Sequence, residues 1–282
     1  DALAPEAKSL PPDELIAFLH QLDAVLVEAD DEAMARAGST LVSLLDGVEH
    51  GAVTGVLSRV VESNAPTDVR VRAVEALRAA ARGHRGAQEH VFKTLVGLLE
   101  DPSVPAPLAS AAADTLGSMD LPIALEPRVR ALTKAEATPV RRWAIRALGN
   151  LDTAPAARAL AHVVVEGDPT DRALAVDAAA ATLHGRRALA KALVGLSDAD
   201  RAQAIASALE PHVGDLTKSI LEALEDAVVS AEAEVAEQIM RLLKTKGDSG
   251  NLLERGEELK AGGDWRGAAE IFRRIASDAH PE

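Results

Sequence analysis

The sequence predicts an all-α chain of stacked helical hairpins, an α-solenoid, and three observations carry that prediction. Hydrophobic residues make up 48% of the chain but aromatics only 2%, so alanine, leucine and valine must fill the interior. Alanine and leucine are strong helix formers, whereas a sheet would call for more aromatic and β-branched residues. At 282 residues the chain sits near the upper limit of a single compact core, which favours division or growth as a repeat array. Finally, one short pattern recurs along the chain at a spacing of about one helical hairpin.

The pattern is plainest in Pro139–Gly149 (Pro-Val-Arg-Arg-Trp-Ala-Ile-Arg-Ala-Leu-Gly) and in Asp68–Leu77 (Asp-Val-Arg-Val-Arg-Ala-Val-Glu-Ala-Leu). Both follow the order Val-Arg-x-x-Ala-x-x-Ala-Leu after a proline or aspartate. Leu108–Gly117, Asp171–Ala179 and Arg201–Leu209 share the register, and Ala33–Leu41 and Glu234–Leu242 follow it more loosely. The marker position falls at 33, 69, 108, 140, 171, 201 and 234, with steps of 36, 39, 32, 31, 30 and 33. Between these segments lie the partners expected as first helices: Glu89–Leu99, Ala154–Val165, Arg187–Leu196 and Lys218–Val229. In the first of them Val91, Leu95, Leu98 and Leu99 recur at helical spacing and predict one buried stripe. Turns are expected at Asn64–Pro66, Asp101–Pro102, Gly149–Asn150, Gly167–Pro169, Gly185 and Ser197–Asp198. There, aspartate or serine can cap free helix N–H groups and proline suits a first turn.

On these residues the chain resembles the HEAT-repeat family over roughly residues 13–247. The resemblance implies a right-handed superhelix of about seven hairpins, with each recurring segment opening a second helix. It also implies that Arg70, Arg141 and Arg172 form a structural ladder, pairing with carboxylates such as Asp68, Glu136 and Asp168; Arg201, with Asp200 beside it, sits one place early. The last segment is different. Leu252, Gly256, Leu259, Gly263-Asp264-Trp265, Ala268 and Phe272 make it similar to one tetratricopeptide (TPR) hairpin, departing from that pattern at Ile275 and Pro281. The expected organisation is therefore a HEAT-like solenoid over residues 1–247 and a TPR-like hairpin over 248–282. Residue 1 is Asp rather than Met, which reads as a fragment or a processed product.

Charge narrows the partners. The net charge is −14, and an acidic chain is repelled by phosphate backbones and anionic lipid, so neither nucleic acid nor membrane is the expected partner. Residues 1–60 hold 3 basic and 11 acidic side chains, residues 61–190 hold 16 and 15, and residues 191–282 hold 11 and 18. The ends are acidic and the middle is neutral with dense arginine. Cysteine is absent, which excludes disulfides and thiolate metal sites and fits the bacterial cytoplasm.

No catalytic string stands out. The eight histidines include no His-Glu-x-x-His, and the phosphate-loop and Gly-x-Ser-x-Gly patterns are missing. No metal, cofactor or catalytic residue is expected. Function is expected instead on the solvent side of the second helices, where the register places Arg72, Trp143 and Leu174 in one column and Glu75, Asp114, Arg146 and Asp177 in another. With Arg142, these give the candidate binding residues Arg72, Glu75, Arg142, Trp143, Arg146 and Asp177, since tryptophan and arginine are enriched in binding hot spots. Trp143 has a second reading, as a large ring filling a gap among alanine-rich helices. The expected activity is that of a non-catalytic scaffold or adaptor for a protein or peptide, and the acidic ends suggest a partner carrying basic segments. The alternatives are a HEAT-like enzyme of the alkylpurine DNA glycosylase or bilin lyase type, or the recognition arm of a longer protein.

Overall fold

The computed structural model describes residues 11–27, 31–48, 50–82, 84–231, 233–244 and 250–278. Among them the chain is all-α, with 16 α-helices and no strand. It divides into two compact units, Asp1–Ala147 and Leu148–Glu282. The boundary expected at 247/248 falls outside the described residues.

The first unit contains α1 (Pro12–Val27), α2 (Asp31–Leu45), α3 (Val53–Glu62), α4 (Thr67–Ala80), α5 (Arg85–Leu99), α6 (Ala106–Leu116) and α7 (Glu126–Leu132), and most of α8 (Thr138–Gly149). Helices two apart in sequence pack together, α1 on α3 on α5 on α7 in one row and α2 on α4 on α6 in the other. The hairpin partners α3·α4 and α5·α6 join the rows. This is solenoid stacking, in which each hairpin buries the apolar face its neighbour exposes. The period explains the burial. In α4, Val69, Ala73 and Leu77 lie one turn apart and are at most 6% exposed, and Leu108, Ala112 and Leu116 repeat the stripe in α6. Proline opens both helices from outside, the Pro66 and Pro105 carbonyls each accepting the first two helical N–H bonds.

The second unit contains α9 (Ala154–Glu166), α10 (Pro169–Ala180), α11 (Leu183–Ala192), α12 (Ala199–Leu209), α13 (Lys218–Ser230), α14 (Ala233–Lys244), α15 (Gly250–Ala261) and α16 (Trp265–Asp278). Its rows run α9·α11·α13·α16 and α10·α12·α14·α16. Side-chain caps start its helices: Thr153 on α9, Asp168 on α10, Thr182 on α11 and Asp198 on α12 each accept a backbone N–H of the first turn. The Thr182 cap explains one departure from the sequence reading. Gly185 is not a turn residue but lies buried in the first turn of α11, where a Cβ would stand 1.9 Å from the Ala179 carbonyl oxygen. The helix therefore starts four residues before the expected Arg187 and ends before Gly195, which takes φ 73° in the turn that follows. A second departure concerns register. In α14 Glu234 is exposed and Val235 and Ile239 are the buried positions, so its register lies one residue later; in α12 Ile205 and Leu209, four and eight residues after Arg201, are buried as the pattern expects.

The final hairpin closes on glycines. Gly263 has φ 80°, and the Asp264 and Gly263 N–H groups donate to Leu259 O and Lys260 O, the paired bonds of a Schellman motif. Asp264 then caps α16 through Gly267 N–H at 3.0 Å. Phe272 is fully buried against Gly256, where a Cβ would lie 2.5 Å from the ring. Ala268 is buried and Trp265 half-buried, whereas the side chains of Leu252 and Ile275, and Pro281, lie outside the described set. α16 packs on both α13 and α14, so the hairpin covers the end of this unit's two rows.

Candidate functional site

The arginines of the recurring segments are anchors, and each of them donates to at least one main-chain carbonyl. Arg70 Nε donates to Val61 O (2.8 Å) in the last turn of α3. Arg141 Nη1 reaches Ala135 O (3.0 Å) and Glu136 O (2.8 Å) behind α7. Arg172 Nη2 reaches Gly167 O (3.1 Å) behind α9, and Arg201 Nη1 donates to Val165 O. A helix leaves its last carbonyls unsatisfied, and a cation there also meets the negative end of the dipole. Arg70 and Arg172 thus tie the start of one helix to the end of the one before it, Arg141 ties α8 to the loop that precedes it, and Arg201 ties α12 back to the last turn of α9. Burial lowers the proton affinity of Arg70 and Asp101 raises it again. Asp198, not Asp200, pairs with Arg201, at 2.8 Å. The bonds described for Arg70 and Arg172, and the two shortest of Arg141, run to carbonyls. Spacing gives no information on where the preceding helix stops.

Trp143 is 3% exposed and belongs to the core rather than to a solvent column. Its ring fills space beside α6, with Cδ1 3.9 Å from where a Gly117 Cβ would stand. Arg72, Glu75 and Arg146 are exposed and Arg142 half-buried, all in the first unit. Asp177 is exposed on α10 of the second unit. Arg72 Nη2 also donates to Ser43 Oγ at 2.8 Å, bridging α4 to α2.

Between α4 and α6 the first unit opens a groove of about 590 Å³, lined by Glu75, Arg78, Pro107, Ser110, Ala111, Asp114 and Thr115. Two of these, Glu75 and Asp114, are at equivalent positions of successive segments, 6 residues after the markers at 69 and 108. They therefore lie side by side on parallel neighbours, whose axes pack about 8–10 Å apart. The groove exists because α6 offers only Ser110 and Ala111 where α4 carries Val71 and Arg72. Glu75, Arg78 and Asp114 form no salt bridge among the described residues. Thr115 is 4% exposed and lines the floor, and its hydroxyl forms no hydrogen bond among those described. Sequence reasoning placed Glu75 and Asp114 in one column but missed Ser110, Ala111 and Thr115. The signal was present in Ala111, the small residue between Arg72 and Trp143 in their column.

Several charges elsewhere are matched. Arg128 makes two bonds to the Glu100 carboxylate, at 2.8 and 2.6 Å, and these hold Glu100 below the usual glutamate range. In the second unit Asp152 accepts the His184 backbone N–H at 2.9 Å and lies 2.9 Å from His184 Nδ1, which lowers the Asp152 carboxyl. Arg186 Nη1 lies 3.2 Å from His212 Nδ1. His50 and His84 approach with ring centroids 5.9 Å apart. Among the described residues no group of three or more histidine or acidic side chains could hold a metal ion, and no helix is long and apolar enough to cross a membrane.

The geometry defines a class: stacked helical hairpins whose first unit bears an open groove lined by charged side chains. No known family model matches the chain, and no curated protein matches it in sequence.

Proposed function

We propose that the protein is a non-catalytic scaffold or adaptor of the HEAT-like kind, with a TPR-like hairpin at its end, and that a protein or peptide binds in the groove between α4 and α6. The carrying observation is that groove, about 590 Å³ and edged by Glu75 and Asp114 from adjacent helices. A folded chain ordinarily sets charges like these in solvent or pairs them; lining a concavity with three leaves contacts for an incoming chain to complete. The volume lies within the range of clefts that bind ligands. Arg72 on α4, with Arg142 and Arg146 on α8 of the same unit, adds basic surface, while Arg70, Arg141 and Arg172 keep the helices in place. The setting that fits best is the bacterial cytoplasm, on the missing cysteine and the acidic balance.

A photo-reactive benzoylphenylalanine at Ala111 tests the site directly, with exposed Ala124 as the control position. Irradiation in cells should give discrete protein adducts at 111 that are absent at 124 and lost on adding Asp114→Arg. Equal adduct patterns at the two positions would sink the reading.

A further inference from the structure

Resting on that reading, we infer that the groove recognises a basic side chain, lysine or arginine, of an extended segment, held between the carboxylates of Glu75 and Asp114. Three observations lead there. The two carboxylates occupy equivalent places on adjacent parallel helices and line one cavity, so a single cation entering it meets both. Neither carboxylate has an ion-pair partner among the described residues, so an incoming ammonium or guanidinium displaces only water. The third observation is independent of charge. Thr115 is 4% exposed, lines the cavity, and has a hydroxyl with no hydrogen-bond partner among the described residues. The hydroxyl keeps contact with water at the cavity, and a donor from the bound segment can take that water's place.

The rest of the lining fits an extended chain. Pro107, Ser110 and Ala111 are short, so a backbone can lie against α6 while one long side chain reaches down between the acids. Arg78, one turn from Glu75, faces the same space. It excludes a second cation at that end and is placed to take a carbonyl or carboxylate of the segment. The preferred ligand is therefore a basic residue followed within a few positions by an acceptor, rather than a run of lysines. A polycation would meet Arg78 at once.

Titrations monitored by amide chemical shifts of the whole protein test this. The probes are acetyl-Ala-Arg-Ala-Glu-Ala-amide and the same peptide with citrulline, which keeps the shape of arginine and removes its charge. The arginine peptide should shift amides within 72–78 and 107–115, and citrulline should weaken binding by about tenfold or more, as loss of a charge-assisted bond does. Glu75→Gln with Asp114→Asn should weaken the arginine peptide to the same level while leaving the remaining spectrum in place. Equal binding of the two peptides would overturn the inference, as would shifts scattered away from the groove or no shifts at all. A groove that instead prefers acetyl-Ala-Glu-Ala-Glu-Ala-amide, and loses it on Arg78→Ala, overturns the basic side chain while leaving the groove as a binding site. The cross-linking at Ala111 separates that outcome from failure of the site itself.

Discussion

Two inter-helix seams within this fold handle charge in opposite ways. At the seam of α4 and α6 in the first unit, Glu75, Arg78 and Asp114 line open space without ion pairs among the described residues. At the seam of α13 and α16 in the second unit, Arg273 Nε lies 2.7 Å from Glu225 Oε2, both side chains at most 27% exposed. Burial raises the Glu225 carboxyl, and the nearby Glu270 and Asp226 raise it further, while Arg273 and Arg266 pull it back. The net direction is upward, so desolvation outweighs the ion pair at this seam. Paired seams serve packing, at a cost in desolvation. An unpaired, hydrated seam costs the fold little and keeps its charges for another molecule.

The changes with the largest expected effect remove the packing both seams rest on. Trp143→Ala leaves a cavity in the first unit beside α6 and should cost about 3–5 kcal/mol in denaturant titration, the range for a large buried aromatic. A loss under about 1 kcal/mol would return Trp143 to the surface. Gly256→Ala forces a methyl against the Phe272 ring and should cost about 1–3 kcal/mol by overpacking. Hydrogen exchange should place that loss in α13–α16 and spare α4 and α6.

The pH response should differ next. Glu100 is held low by Arg128, so its contribution is complete above the unfolded glutamate value of about 4.3 and fades as pH falls through the lower folded value. Glu225 is held high, so its penalty is complete above its folded value and relieved as pH falls through it toward about 4.3. Mild acidification from neutral should therefore strengthen the wild-type second unit relative to Glu225→Gln. Acidification below about 4 should weaken the first unit, and Arg128→Ala should remove the Glu100 part of that effect. Identical pH profiles for wild type and Glu225→Gln would contradict the assignment.

The smallest effect on stability belongs to the groove. Glu75→Gln and Asp114→Asn should each change stability by less than about 0.5 kcal/mol, as exposed sites without partners do. A clearly larger destabilisation would mean that these acids serve the fold.

The all-helical class was legible because alanine and leucine recur with one period and breakers fall between the segments. Val69, Leu108 and Val140 occupy the buried markers the pattern assigns. Three features were not legible, each for a physical reason. The carbonyls that Arg70, Arg141, Arg172 and Arg201 bond depend on where earlier helices stop. Trp143 is buried because Gly117 leaves room beside it, a relation across 26 residues that the local pattern does not hold. Gly185 looks like a breaker, but the Thr182 cap draws it into α11, against the Ala179 carbonyl. Of the candidate site, the charged residues could be read from register. The groove could not, since it comes from what α6 lacks.

The central claim is that the α4–α6 seam is left open for a partner whereas the α13–α16 seam is closed on itself. Double-mutant cycles on the two seams, run side by side in denaturant, test it most directly. Glu225→Gln with Arg273→Gln should show a coupling of at least about 0.5 kcal/mol, while Glu75→Gln with Arg78→Gln should couple by less than about 0.3 kcal/mol. Comparable coupling at both seams would show that the groove charges already serve each other, and the account of a vacant recognition surface would fail.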